Sequence, residues 1–136
     1  MSNFNDDSLL NGQYALQKVD DLIGKLDDVV SRWPRLHRNT YGERLYKLLD
    51  EMEELLIAAH KKFFKKTTLQ EIDIKNFQAR IIIRRIAKTT YTDRKGEKRK
   101  LITPGQHEEW VKLNLEVGAI VGAWIQKAKE AEKNKH

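Results

Sequence analysis

Thr103-Pro-Gly-Gln-His-Glu-Glu-Trp-Val-Lys-Leu-Asn-Leu-Glu-Val-Gly-Ala-Ile-Val-Gly-Ala-Trp-Ile125 is the stretch that decides the fold. Thr103 is an N-cap residue, Pro104 suits the first helical position, and Gln106 completes a capping box. Trp110, Leu113, Val117, Ile120, Val121, Trp124 and Ala128 then recur at helical spacing, so a helix is predicted over about 103–132. Leu115, Gly118, Ala119, Gly122 and Ile125 form a second face of mostly small residues on the same helix. Each internal glycine costs about 1 kcal/mol relative to alanine. Close approach of another backbone at Gly118 and Gly122 would offset that cost. Trp110 and Trp124 read as core or interface anchors, since both lie on the apolar stripe.

Working outward, three more amphipathic patterns precede this one. The first spans about 12–32, with Tyr14, Leu16, Val19, Leu22, Ile23, Leu26, Val29 and Val30 on one face and Asp20, Asp21, Asp27 and Asp28 on the other. Pro34 restricts Trp33 to extended geometry and ends it. After a short basic linker (Arg35, His37, Arg38), Thr40 and Glu43 read as the cap of a helix over about 40–65, with a stripe from Leu45 to Phe63. That helix ends in His60-Lys-Lys-Phe-Phe-Lys-Lys66, where cations suit the negative end of the dipole. The third helix, about 68–89, starts near Thr67 or Thr68 with Glu71 in capping position, and runs through Ile72, Phe77, Ala79, Ile82, Ile83 and Ile86. Short links between four such helices predict an all-α chain: one domain over 1–136, an antiparallel four-helix bundle. Because the last helix is apolar on two faces, a homo-oligomer is expected to bury the second.

The long basic connection, 90–102, interrupts this pattern. Thr89, Thr90 and Ile102 flank a turn near Gly96, which suggests a short β-ribbon. The net charge of +6 is concentrated in this connection and the helix end that leads into it. Between residues 84 and 100 stand eight basic residues (Arg84, Arg85, Lys88, Arg94, Lys95, Lys98, Arg99, Lys100) and two acids, Asp93 and Glu97. The rest of the chain carries equal numbers of each sign. Arg80, Arg84 and Lys88 also share a helix face at four-residue spacing. A concentrated positive field attracts polyanions, and each cation that reaches a phosphate releases a counterion. RNA or DNA, held by its phosphates, is therefore one partner; a solvated hairpin whose charge only keeps the chain apart is the competing reading.

Enzyme chemistry finds little support. The chain has no cysteine, no Gly-rich phosphate loop and no nucleophile elbow. Its histidines, His37, His60, His107 and His136, lack the carboxylate spacing of a bundle metal site. No metal, cofactor or catalytic residue is implied. There is no run of about 18 apolar residues and no basic, apolar leader at the start, so a cytoplasmic setting without a membrane span is expected.

The last helix resembles that of the accessory variability proteins of diversity-generating retroelements. The shared residues are Thr103, Pro104, Gln106, Glu116, Val117, Gly118, Gly122, Trp124 and Ile125. Pro34-Arg35-x-His37 matches the element after that family's first helix, and Arg80 and Arg84 match its paired arginines. The resemblance extends over roughly residues 15–127. It implies a four-helix protomer in a barrel-shaped homopentamer that binds nucleic acid and the retroelement reverse transcriptase, without catalysis of its own, in mutagenic retrohoming. Tyr91–Leu101 departs from it, being longer and more basic. The Pro-Arg-x-His element is shared with four-helix proteins encoded by ribosomal-RNA intervening sequences. That relation, and a plain oligomeric protein–protein scaffold, are the alternatives.

Overall fold

The computed structural model describes residues 3–134, with side chains from Gly12 onward. Its elements run α1 (Asn3–Val30), α2 (Arg35–His37), a π-helical segment (Arg38–Gly42), α3 (Glu43–Lys61), α4 (Lys66–Lys88), β1 (Thr90–Thr92), β2 (Lys98–Lys100) and α5 (Pro104–Lys133). The four long helices form the bundle. Each neighbours two others: α1 lies between α3 and α5, and α4 completes the square between the same two. Cross-links fix their sense. Lys18 pairs with Glu116 and Lys25 with Glu109, so α1 rises as α5 descends. Lys66 faces Glu132, while Asn76 bonds Asn114 higher up the same pair of helices. Adjacent helices are antiparallel.

The core is one apolar column. Leu22, Leu26, Leu45, Leu49, Met52, Leu56, Leu69, Ile72, Ile83 and Ile86 are fully buried, as is Trp110, with Val117, Val121 and Trp124 alongside. A polar bracket crosses it between α4 and α5. Asn76 Nδ2 donates to the Asn114 carbonyl at 3.0 Å, and Asn114 Nδ2 donates to the Asn76 carbonyl and Oδ1 at 3.0 and 2.9 Å. Arg80 Nε donates to Asn114 Oδ1 at 2.6 Å. Because an unmade hydrogen bond at such a depth costs more than a made one contributes, the bracket fixes the register of the two helices.

Several sequence expectations change. The first helix begins well before Gly12 and ends at Val30. Helix formation resumes at once after Pro34, whose φ of −55° already suits a helix start. Thr40 therefore lies exposed inside the π-helical segment and caps nothing. The wider turn seats Gly42 against α1, where a Cβ would come within 2.9 Å of Val30 Cγ2. The second long helix ends at Lys61, because Lys62 is extended. The next begins at Lys66 without a side-chain cap, the buried Thr68 hydroxyl accepting instead from Lys62 Nζ. Tyr14, Phe63 and Phe77 are exposed, not core. Beside Phe77, Asn76 takes the interior position as part of the bracket.

At the last helix, Thr103 and Gln106 form the reciprocal capping box, with bonds of 2.8 and 3.1 Å. The 90–102 connection contains an antiparallel ribbon in which Thr90 pairs with Lys100, Tyr91 with Arg99 and Thr92 with Lys98. Among the described residues no helix is long and apolar enough to cross a membrane.

Candidate nucleic-acid interface

In an up-and-down bundle the first and third connections emerge at the same end. Here they are the Pro34 turn and the ribbon, and they are clasped together. Trp33, 3 % exposed, donates its indole N–H to the Leu101 carbonyl at 2.9 Å. Leu101 and Ile102 are buried beside it, and Leu101 N–H bonds back to the Thr89 carbonyl. The root of the ribbon is thus part of the core, while its arms project into solvent.

Asp93 organises the tip. One carboxylate oxygen accepts the backbone N–H groups of Lys95 and Glu97, each at 2.9 Å, and the other accepts Arg99 Nε at 2.6 Å. Gly96 turns the chain at φ 80°, a conformation that only glycine adopts without strain. The Arg99 guanidinium, with those backbone donors, holds the Asp93 carboxyl below the usual carboxylate range. Arg99 is itself tied down by Asp93 and by Glu97 at 3.2 Å. Among the described residues Arg94, Lys95, Lys98 and Lys100 make no ion pair, and all four are exposed.

Between ribbon and turn lies an open cleft of about 1050 Å³. Seven cations line it: Arg32, Arg35 and Arg38 from the turn, and Arg94, Lys98, Arg99 and Lys100 from the ribbon. Asp93 is its one acid, already committed to Arg99. Low-dielectric walls and a single sign of charge focus the field at such a surface.

The sequence candidates separate. Arg94, Lys98, Arg99 and Lys100 meet in the cleft, and Lys95 sits at the ribbon tip outside it. Arg84, Arg85 and Lys88 are exposed on the last turns of α4, also outside the cleft. Arg80 is half-buried in the α4–α5 seam, bonded to Asn114 and stacked 5.8 Å from the Phe77 ring. Gly118 borders the same seam, where a Cβ would lie 3.3 Å from Asn76 Nδ2. A Cβ on Gly122 would meet nothing within 4 Å, and Leu115 and Ala119 on that side of α5 are exposed. Trp110 and Trp124 are buried, at 1 % and 2 % exposure. The three arginines of the turn went unassigned from sequence, although the shared end of connections one and three was a signal for them.

A family model described as bAvd-like matches residues 14–128. The chain belongs to that family. Membership brings the accessory variability determinant role and a general association with retroelement proteins. No curated protein matches the chain. Among the described residues no group of three or more His, Asp or Glu side chains is placed to hold a metal ion; His136 lies outside them.

Proposed function

We propose that this bAvd-like protein is a non-catalytic nucleic-acid-binding subunit that partners the reverse transcriptase of a diversity-generating retroelement in mutagenic retrohoming. The observation that carries the reading is the cleft: seven cations, one neutralised acid, and a ribbon rooted in the core. Phosphates entering it would displace condensed counterions, and arginines can grip them with two parallel N–H bonds. The sequence carries no recognisable groove-reading module, so RNA and DNA would be held by their backbones with little sequence preference. Its contribution to the polymerase would be to hold template or product nearby, in a cytoplasmic setting.

Assembly into a homopentamer belongs to the same proposal. Leu115, Ala119 and Gly122 leave an apolar, small-residue face on α5, with exposed Phe77 and Ile81 on the neighbouring α4. Burying that face against a second copy would satisfy it, and a closed ring would repeat each cleft along one rim. Light scattering with and without RNA, combined with co-purification alongside the reverse transcriptase of the same element, tests the whole. A multimer that binds RNA and retains the polymerase is expected; a monomer indifferent to both refutes it.

A further inference from the structure

The cleft has two charged walls, and they differ in form. Arg32, Arg35 and Arg38 stand on the short turn after α1, while Arg94, Lys98 and Lys100 stand on the projecting ribbon. From Thr90 to Asp93 the ribbon advances three residues, about 10 Å, before the tip residues Arg94, Lys95 and Gly96. Between Thr90 and Lys100 every residue except Tyr91 and Asp93 is exposed. The backbone ridge of a double helix suits such a cleft: one wall would lie outside the ridge and the other in the groove behind it.

Other polyanions fit less well. A single strand would place its bases on ring faces as well as its phosphates on cations. The cleft offers no open ring: Trp33 is buried, Tyr91 is half-buried against the core, and the His37–Tyr41 stack lies outside the lining. A flat anionic surface laid over this end would also approach Asp28, Glu43, Glu108 and Glu109, which are exposed and outside the cleft. Asp93 within the cleft and Glu97 at the tip are both held by Arg99. Arg84, Arg85 and Lys88 strengthen the field from outside without distinguishing one polyanion from another. A duplex ridge needs a groove wide enough for the ribbon beside it. The B-form major groove, about 12 Å wide and 8.5 Å deep, admits a two-stranded ribbon. The A-form major groove of RNA is too narrow even for side chains, and its minor groove is shallow.

We infer that the ribbon enters the major groove of a B-form DNA duplex, seating one sugar–phosphate ridge between the ribbon and the arginines of the Pro34 turn. This rests on the nucleic-acid reading above and names the ligand of that cleft: double-stranded DNA, chosen by groove shape and not by base sequence. Lys95, exposed at the tip and outside the cleft, then meets the duplex only where the ribbon can enter it. The full-length protein is titrated at one salt concentration with a labelled DNA duplex, an RNA duplex of the same sequence, and a single DNA strand of the same length. The DNA duplex should bind on the order of tenfold tighter than either of the others. Methyl green, a major-groove ligand, should inhibit that binding; netropsin, a minor-groove ligand, should not. Lys95→Gln should weaken DNA binding severalfold and leave RNA-duplex binding and the thermal melt unchanged.

Equal affinity for the two duplexes overturns the inference, as does tighter binding of the single strand. So does inhibition by netropsin in place of methyl green, or an equal loss on both duplexes in the Lys95 variant. These four results leave a nucleic-acid-binding cleft standing. Polyglutamate that competes as well as DNA of equal charge also overturns it, by making the cleft a site for an acidic protein. A protein that binds none of the three probes refutes the nucleic-acid reading itself.

Discussion

Replacing Arg94, Lys98 and Lys100 together by glutamine should flatten the salt dependence of duplex binding without disturbing the fold. Six of the seven cleft cations remain once Arg99 is set aside as the partner of Asp93 and Glu97. Each that meets a duplex phosphate adds about 0.9 to the slope of log affinity against log salt, so all six give a slope near −5 per protomer. From about 50 to 200 mM salt that amounts to a loss on the order of a thousandfold. The variant keeps Arg32, Arg35 and Arg38, so its slope should fall to between about −2 and −3, a loss of only tens-fold over the same interval. All three replaced side chains are exposed and unpaired, and surface changes of this kind stay within about 0.5 kcal/mol of stability. Fluorescence anisotropy of a short labelled duplex across a salt series measures the slope, and a thermal melt controls for folding. A variant slope as steep as wild type, with the melt unchanged, would remove the cleft from binding and return attention to Arg84, Arg85 and Lys88.

Gly122→Ala should raise the melting temperature, by about 1 kcal/mol of helix propensity, because the added Cβ meets nothing in the protomer. Gly122→Leu should lower the solution mass if a second copy packs there; an unchanged mass by light scattering removes that face from the interface. Gly118→Leu should destabilise the protomer itself, by about 1–3 kcal/mol, since its Cβ already comes within 3.3 Å of Asn76 Nδ2. Asn114→Leu leaves Asn76 Oδ1 without its donor and should cost about 1–3 kcal/mol in urea unfolding. The double variant Asn76→Leu, Asn114→Leu should cost less than the two single changes combined, and strict additivity would contradict the bracket. The Asp93 carboxyl is held below its ordinary value, chiefly by Arg99, so its contribution is complete above the usual aspartate range and is lost as pH falls through the depressed folded value. Amide signals of Lys95 and Glu97, the two donors to that carboxylate, should therefore hold from neutral pH into mild acid and shift only in stronger acid. Asp93→Asn should abolish that late transition; signals indifferent to strong acid in wild type would contradict the turn's dependence on the carboxylate.

Local chemistry made the last helix legible without tertiary information. Thr103, Pro104 and Gln106 act within one turn, and the spacing from Trp110 to Trp124 needs only the 3.6-residue period to declare its buried face. The same holds for the turn at Gly96 and for the concentration of charge from Arg84 to Lys100. Where a side chain had competing partners, sequence could not choose. Thr68 and Thr40 both read as caps, yet one hydroxyl serves Lys62 and the other sits within the π-helical turn that follows α2 and ends at Gly42. Phe77 reads as core, yet it is exposed and Asn76 beside it is buried, because two asparagines that satisfy one another across a helix seam can be buried while a single one cannot. The cleft was beyond sequence for a related reason. Arg32, Arg35 and Arg38 lie some sixty residues from the ribbon, and only the packing of Trp33 beneath Leu101 draws the two basic segments into one field.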